Sequence, residues 1–282
     1  MKKVVLLTLA VLFSVVTFGQ DAAEKINQAN EAMQAEDYAT AFKLYDEAMK
    51  NLGDVQVDST INYNIAIAAY RAENMDGALE YFQKAINVGV NLEKSFEYMA
   101  RIYNDKEDYA KAVDNFEKAI GAADGDTESM VFNAAIAAYR GDMLDKAVEL
   151  FGQSVESGYR GETALYYKAV ALRKKGDDDA YKATLEEGVN KFPGDDKISS
   201  ALANVYVSEG NELYKKGVAI LNAANQKIQD GSLKTTDEAY TAEVEKAQVE
   251  FRAAVEVLEK AKELDASNAN AQKLIDACSA VL

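Results

Sequence analysis

The sequence predicts an all-α chain of stacked helical hairpins, ending in an elongated C-terminal hairpin and a capping helix. Three observations carry this expectation. One proline and no tryptophan in 282 residues, of which 49% are apolar and 28% charged, is the composition of a packed protein with long uninterrupted helices. A trio of small, aromatic and small side chains recurs at steps of 37, 34 and 35 residues. Each trio follows a polar turn, and each turn follows another amphipathic segment, so the repeating unit is helix, turn, helix.

Residues 1–20 read differently from the rest. Met1-Lys2-Lys3 is a basic start, and Val4 to Val16 is apolar except for Thr8 and Ser14. The small residue Gly19, with Thr17 two positions before it, marks a cleavage site that would leave Gln20 or Asp21 first, a secretory signal pattern. The apolar run is shorter than the ~20 residues a spanning helix needs, so a cleaved leader is expected and stable membrane insertion afterwards is not. No cysteine lies near the site to carry a lipid.

Residues 21–195 read as five hairpins. Ala41, Tyr45 and Ala48 correspond to Ala78, Phe82 and Ala85, then to Ala112, Phe116 and Ala119, then to Ala147, Phe151 and Ser154. Spacing of i, i+4, i+7 places each trio on one helix face. The small ends let backbones approach, and the central ring fills the gap between neighbouring hairpins. Tyr63 to Arg71, Tyr98 to Asn104 and Phe132 to Arg140 are the first helices of their units, with Ala66, Ala100, Ala135 and Ala169 at a shared small position. In the fifth unit Tyr181, Leu185 and Gly188 replace the trio, Gly176-Asp177 marks the turn, and Pro193 follows.

Residues 196–282 change pattern. Ile198 to Gln229 reads as one long helix, Asp230-Gly231-Ser232 as a turn, and Glu238 to Leu264 as a second long helix carrying Ala254, Leu258 and Ala261. Asn268 to Leu282 supplies a short helix whose Ala271, Leu274, Ile275 and Cys278 cover the last face, as a stack of repeats requires. Cys278 is the only cysteine, so no intramolecular disulfide forms and a buried structural thiol is expected.

The net charge of −16 disfavours nucleic acid as a partner. There is no histidine, and no GxSxG, phosphate-cradling glycine loop or HExxH occurs, so no catalytic residue and no enzyme activity are expected. The acidic runs Asp124 to Glu128 and Asp177-Asp178-Asp179 read as solvated turns and helix caps, with no metal and no cofactor assigned.

A small residue in the first helix, then alanine, aromatic and alanine in the second, at a period near ~34 residues, resembles the tetratricopeptide-repeat (TPR) family, in particular exported bacterial members such as those of Bacteroidetes. The resemblance implies a right-handed α–α superhelix, a solenoid whose first helices line a groove for an extended peptide or partner protein. Carried onto this chain, one groove row is Ile26, Tyr63, Glu97, Phe132 and Tyr166, and a second is Met33, Tyr70, Asn104, Tyr139 and Arg173. Arg71, Arg140 and Lys174 flank them, and Asn27, Asn64 and Asn133 share a position that in peptide-binding members bonds ligand backbone. Lys94 and Arg101 complete the nominated set. With the export signal, the expected role is a non-catalytic scaffold or adaptor in the envelope of a Gram-negative bacterium, periplasmic in the first place, secreted or envelope-associated in the second. The alternative is a glycan or peptidoglycan binder, with Tyr63, Phe132 and Tyr166 stacking on sugar rings.

Overall fold

The computed structural model describes residues 17–53 and 55–282, with side chains from residue 21 onward. The expected leader therefore lies outside the described residues, apart from its last four positions, which open the first helix. Thirteen helices and no strand occur among the described residues. They fall into two compact units, one ending at Ser154 and one beginning at Val155.

The first unit holds α1 (Thr17–Gln34) against α2 (Tyr38–Lys50), α3 (Ile61–Arg71) against α4 (Met75–Asn87), α5 (Leu92–Asp105) against α6 (Tyr109–Ala122), then α7 (Glu128–Arg140) and most of α8 (Leu144–Ser157). The first helices start earlier than the periodicity indicates, most clearly α5, because its opening turn is polar in sequence although Ser95 there is buried.

One turn is reused in each of the first five hairpins. At the end of α3 the N–H of Asn74 donates to the carbonyl of Ala69, and that of Glu73 to Tyr70, closing the helix with a left-handed residue. Asn74 then caps α4 by accepting from the N–H of Gly77 at 2.9 Å. Asp37, Asp108 and Asp177 play the same double part, accepting from Thr40, Lys111 and Ala180. One short polar residue thus satisfies the ends of two helices, the first through its backbone N–H and the second through its side chain, and fixes the angle between them.

The repeating trio is the core. Ala41, Tyr45, Ala48, Ala78, Phe82, Ala85, Ala112 and Ala119 are fully buried, as are the first-helix alanines Ala66, Ala100, Ala135 and Ala169. Each buried ring stabilises by about 1.5–3 kcal/mol. The Tyr45 hydroxyl donates to Asn30 of α1 at 2.6 Å, and that of Tyr81 to Asp46 of α2 at 3.0 Å, so buried phenols find partners within and between hairpins.

The second unit opens with α9 (Gly161–Lys174) and α10 (Asp178–Lys191) and continues through α11 (Asp196–Gln229), α12 (Glu238–Leu264) and α13 (Ala269–Ser279). In α10 the sizes of the trio are rearranged. A Cβ on Gly188 would stand 2.5 Å from a Leu165 methyl and 2.8 Å from one of Ile198, so glycine alone lets α10 lie this close to both α9 and α11. The elongated hairpin of α11 and α12 buries Ala203, Phe251, Ala254, Leu258 and Ala261, and α13 adds Ala271 and Cys278 to that core. Burial pushes the Cys278 thiol pKa up, as suits a packed and unreactive sulfur.

Candidate functional site

Successive first helices α3, α5 and α7 present their nominated side chains in three different ways. On α3, the Tyr63 ring meets the Phe82 ring edge-on at 5.9 Å, and burial raises its hydroxyl pKa to about 12. The Tyr70 ring packs at 4.9 Å against Tyr98 of α5, which itself stacks on Phe82 at 5.2 Å. Tyr63, Phe82, Tyr98 and Tyr70 therefore form one aromatic ladder across α3, α4 and α5. Tyr63 and Tyr70 both remain half-buried, as does Asn64 beside them. Arg71 is exposed at the end of α3, with its guanidinium 6.0 Å from the Tyr38 ring centre.

On α5 the charges form a set. Lys94 pairs with Glu93 at 2.8 Å and Glu97 at 3.0 Å, and Arg101 pairs with Glu97 at 2.6 Å. The Glu97 side chain is only 12% exposed. Burial alone would raise its pKa, but Lys94 and Arg101 outweigh that and hold it below the ordinary glutamate value. Glu97 therefore stays ionised and anchors both cations at fixed places on the helix face.

On α7, Asn133 is exposed and Arg140 stands exposed at the C-terminus, with half-buried Tyr139 beside it. Phe132 is different. It is 4% exposed and its ring packs on Phe151 at 6.0 Å, so it belongs to the hairpin core and not to the accessible face. Asn27 is exposed on α1.

Four of these positions converge. A cleft of 330 Å³ over α5 is lined by Tyr70 from α3, Arg101, Asn104 and Asp105 from α5, Phe116 from α6, and Asn133 and Ile136 from α7. Its walls offer a tyrosine ring and two apolar side chains, and its polar groups are two amides, a cation and a carboxylate. Tyr63 and Lys94 lie further along the same helices and do not line it. Ile136 and Phe116 were not nominated as lining residues. Ile136 stands three residues after Asn133, on the same helix face, so the spacing carried that signal. Phe116 is a core ring whose edge floors the cleft.

In the second unit Tyr166 and Arg173 line a separate cleft together with residues of α11, and exposed Lys174 follows Arg173 at the end of α9. The Tyr166 ring meets Tyr167 edge-on at 5.9 Å. Among the described residues no group of three or more His, Cys, Asp or Glu is arranged to hold a metal ion.

No curated protein sequence matches the chain. Among solved structures, YrrB, described as a TPR protein with an unusual peptide-binding site, is 20% identical and is matched over 64% of this chain and 90% of its own, with a TM-score of 0.49. A TPR repeats protein from Bacteroides fragilis is 20% identical over 93% of this chain and 99% of its own, with a TM-score of 0.40. The C-terminal part of a TPR repeat-containing protein from Cytophaga hutchinsonii is 14% identical over 89% and 99%, with a TM-score of 0.48. Residues 26–89 and 163–195 match family profiles described as tetratricopeptide repeat. Those stretches take in the first two hairpins and the hairpin of α9 and α10, where the shared turn also stands, and over them the chain carries tetratricopeptide repeats.

Proposed function

We propose that this chain is a non-catalytic interaction scaffold of the bacterial cell envelope, resident in the periplasm after export, that holds a partner protein or an extended peptide on the first-helix face of its hairpins. The observation that carries the reading is the cleft over α5, where Tyr70, Arg101, Asn104 and Asn133 come together from three successive first helices. Each asparagine amide offers one acceptor and two donors, the complement of an extended peptide unit, while Tyr70, Phe116 and Ile136 suit its side chains. Arg101 is already oriented by Glu97, which lowers the cost of ordering it on a ligand. Support for export comes from the leader pattern of residues 1–20, and no described helix is long and apolar enough to cross a membrane. A glycan binder would need Phe132 and Tyr63 as open platforms, and both rings are packed against phenylalanines.

The test is capture in the native envelope. Partner crosslinked to the full chain should fall at least about tenfold when Arg101 and Asn133 are both changed to Ala, given that truncating central contacts typically costs more than ~1 kcal/mol each, with helix content unchanged. Undiminished capture by that double variant removes this face from consideration.

A further inference from the structure

The second helices differ from one junction to the next in how they close the space between them. Where α2 meets α4, Phe42 fills it. A Cβ on Gly77 would stand 2.6 Å from Cζ of that ring, and the ring meets Tyr81 edge-on at 6.3 Å. Counted from the alanine that opens each trio, Val113 of α6 stands at the place of Phe42, and Lys146 of α8 at that of Gly77. Valine is too short to reach across, and a shallow cleft of 470 Å³ opens between α6 and the start of α8, a size that receives ligand groups. Buried Val113 is its floor, and exposed Ala110 with half-buried Met143 and Leu144 are its apolar walls. None of the residues nominated for the first-helix groove lines it.

We propose that this cleft is a docking site on the second-helix face for a basic amphipathic segment of a partner protein. The segment sets one large apolar side chain on Val113, Met143 and Leu144, and its flanking lysines or arginines against the carboxylates at the edge. The site shares no residue with the α5 cleft and stands or falls separately from it. Charge selects the occupant. Four carboxylates edge the cleft, those of Asp114, Glu117, Asp142 and Asp145, against the single ammonium of Lys146. That ammonium is already engaged, by Glu117 and Glu149 at 3.1 Å each, and Lys118 pairs with Asp114 at 2.6 Å, which leaves acids in excess at the edge. An acidic segment is therefore repelled, while the net charge of −16 draws a basic one in. The apolar floor then selects among cations, because a segment with charge alone leaves it in contact with water.

The probes are short peptides with both ends blocked: one with a leucine flanked by lysines, a second with serine in place of the leucine, and a third with glutamates in place of the lysines. Each is titrated against the full chain and against Ala110→Phe, Val113→Phe, the double variant Asp114→Lys with Asp145→Lys, and Arg101→Ala, all checked for unchanged helix content. Val113→Phe rebuilds the filling that Phe42 provides on α2, and Ala110→Phe covers the cleft from an exposed position where the fold tolerates a larger side chain. The leucine–lysine peptide should bind the full chain roughly tenfold or more tightly than either of the others, and filling the cleft or reversing its edge should each cost a similar factor. Arg101→Ala should leave its binding unchanged. Equal binding by the serine or the glutamate peptide overturns the site, as does undiminished binding to Ala110→Phe or failure of every peptide to bind. Binding lost with Arg101→Ala and kept with Ala110→Phe overturns it too, and leaves the first-helix groove standing.

Discussion

At Glu36, Glu73, Glu107 and Asp142 the backbone takes φ of 59–60°, the left-handed region, and Gly176 occupies the same place in the fifth hairpin. A side chain there costs roughly 1–2 kcal/mol, against which glycine loses about 0.4–1 kcal/mol through its freer unfolded chain. Glu107→Gly should therefore stabilise the protein by about 0.5–1 kcal/mol, read as a higher urea midpoint at unchanged slope. The adjacent cap works in the opposite direction. Asp108→Ala leaves the N–H of Lys111 without its acceptor and should cost about 1 kcal/mol. A lower midpoint for Glu107→Gly would mean that the glutamate side chain contributes more than its backbone strain removes.

Between helices, a single side chain decides how near two axes lie. A Cβ on Gly217 of α11 would stand 2.6 Å from Cε1 of Phe251 on α12, with two more ring atoms under 3.0 Å. Alanine improves helix propensity by about 1 kcal/mol, but pushing a buried ring aside costs roughly 1–3 kcal/mol, so Gly217→Ala is expected to destabilise in net. Phe116→Ala should cost roughly 3–5 kcal/mol by leaving a cavity between hairpins, and it also removes the floor of the α5 cleft. A loss near zero in chemical unfolding would contradict the core role of the trio. The positions of such residues were legible because i, i+4, i+7 spacing fixes a helix face whatever the partner. Depth was not. Tyr63, Phe132 and Tyr166 align in one row, yet Phe132, with no hydroxyl to keep near water, lies within the core. The pairing of Glu97 with Lys94 and Arg101 was present in the sequence as spacings of three and four, which bring side chains together on a helix. The α11 wall of the second cleft was harder to read. No shared turn precedes α11 at the usual place, so which of its faces meets α9 follows only from the close approach at Gly188.

For the molecule as a whole, an excess of 47 acidic over 31 basic residues sets a negative background against which fixed cations become informative. Each compact unit has an arginine of this kind in a first-helix cleft next to a tyrosine, Arg101 near Tyr70 and Arg173 on Tyr181. The repeat was legible from composition and periodicity alone, whereas the partner's chemistry depends on which cations are held and which are consumed by neighbouring acids. A photocrosslinking side chain placed at Asn133, inside the α5 cleft, and separately at exposed Gln83 of α4, tests the first-helix face most directly in living cells. The groove reading predicts that a discrete partner attaches at position 133 and not at 83. Attachment at 83 with none at 133 would contradict it.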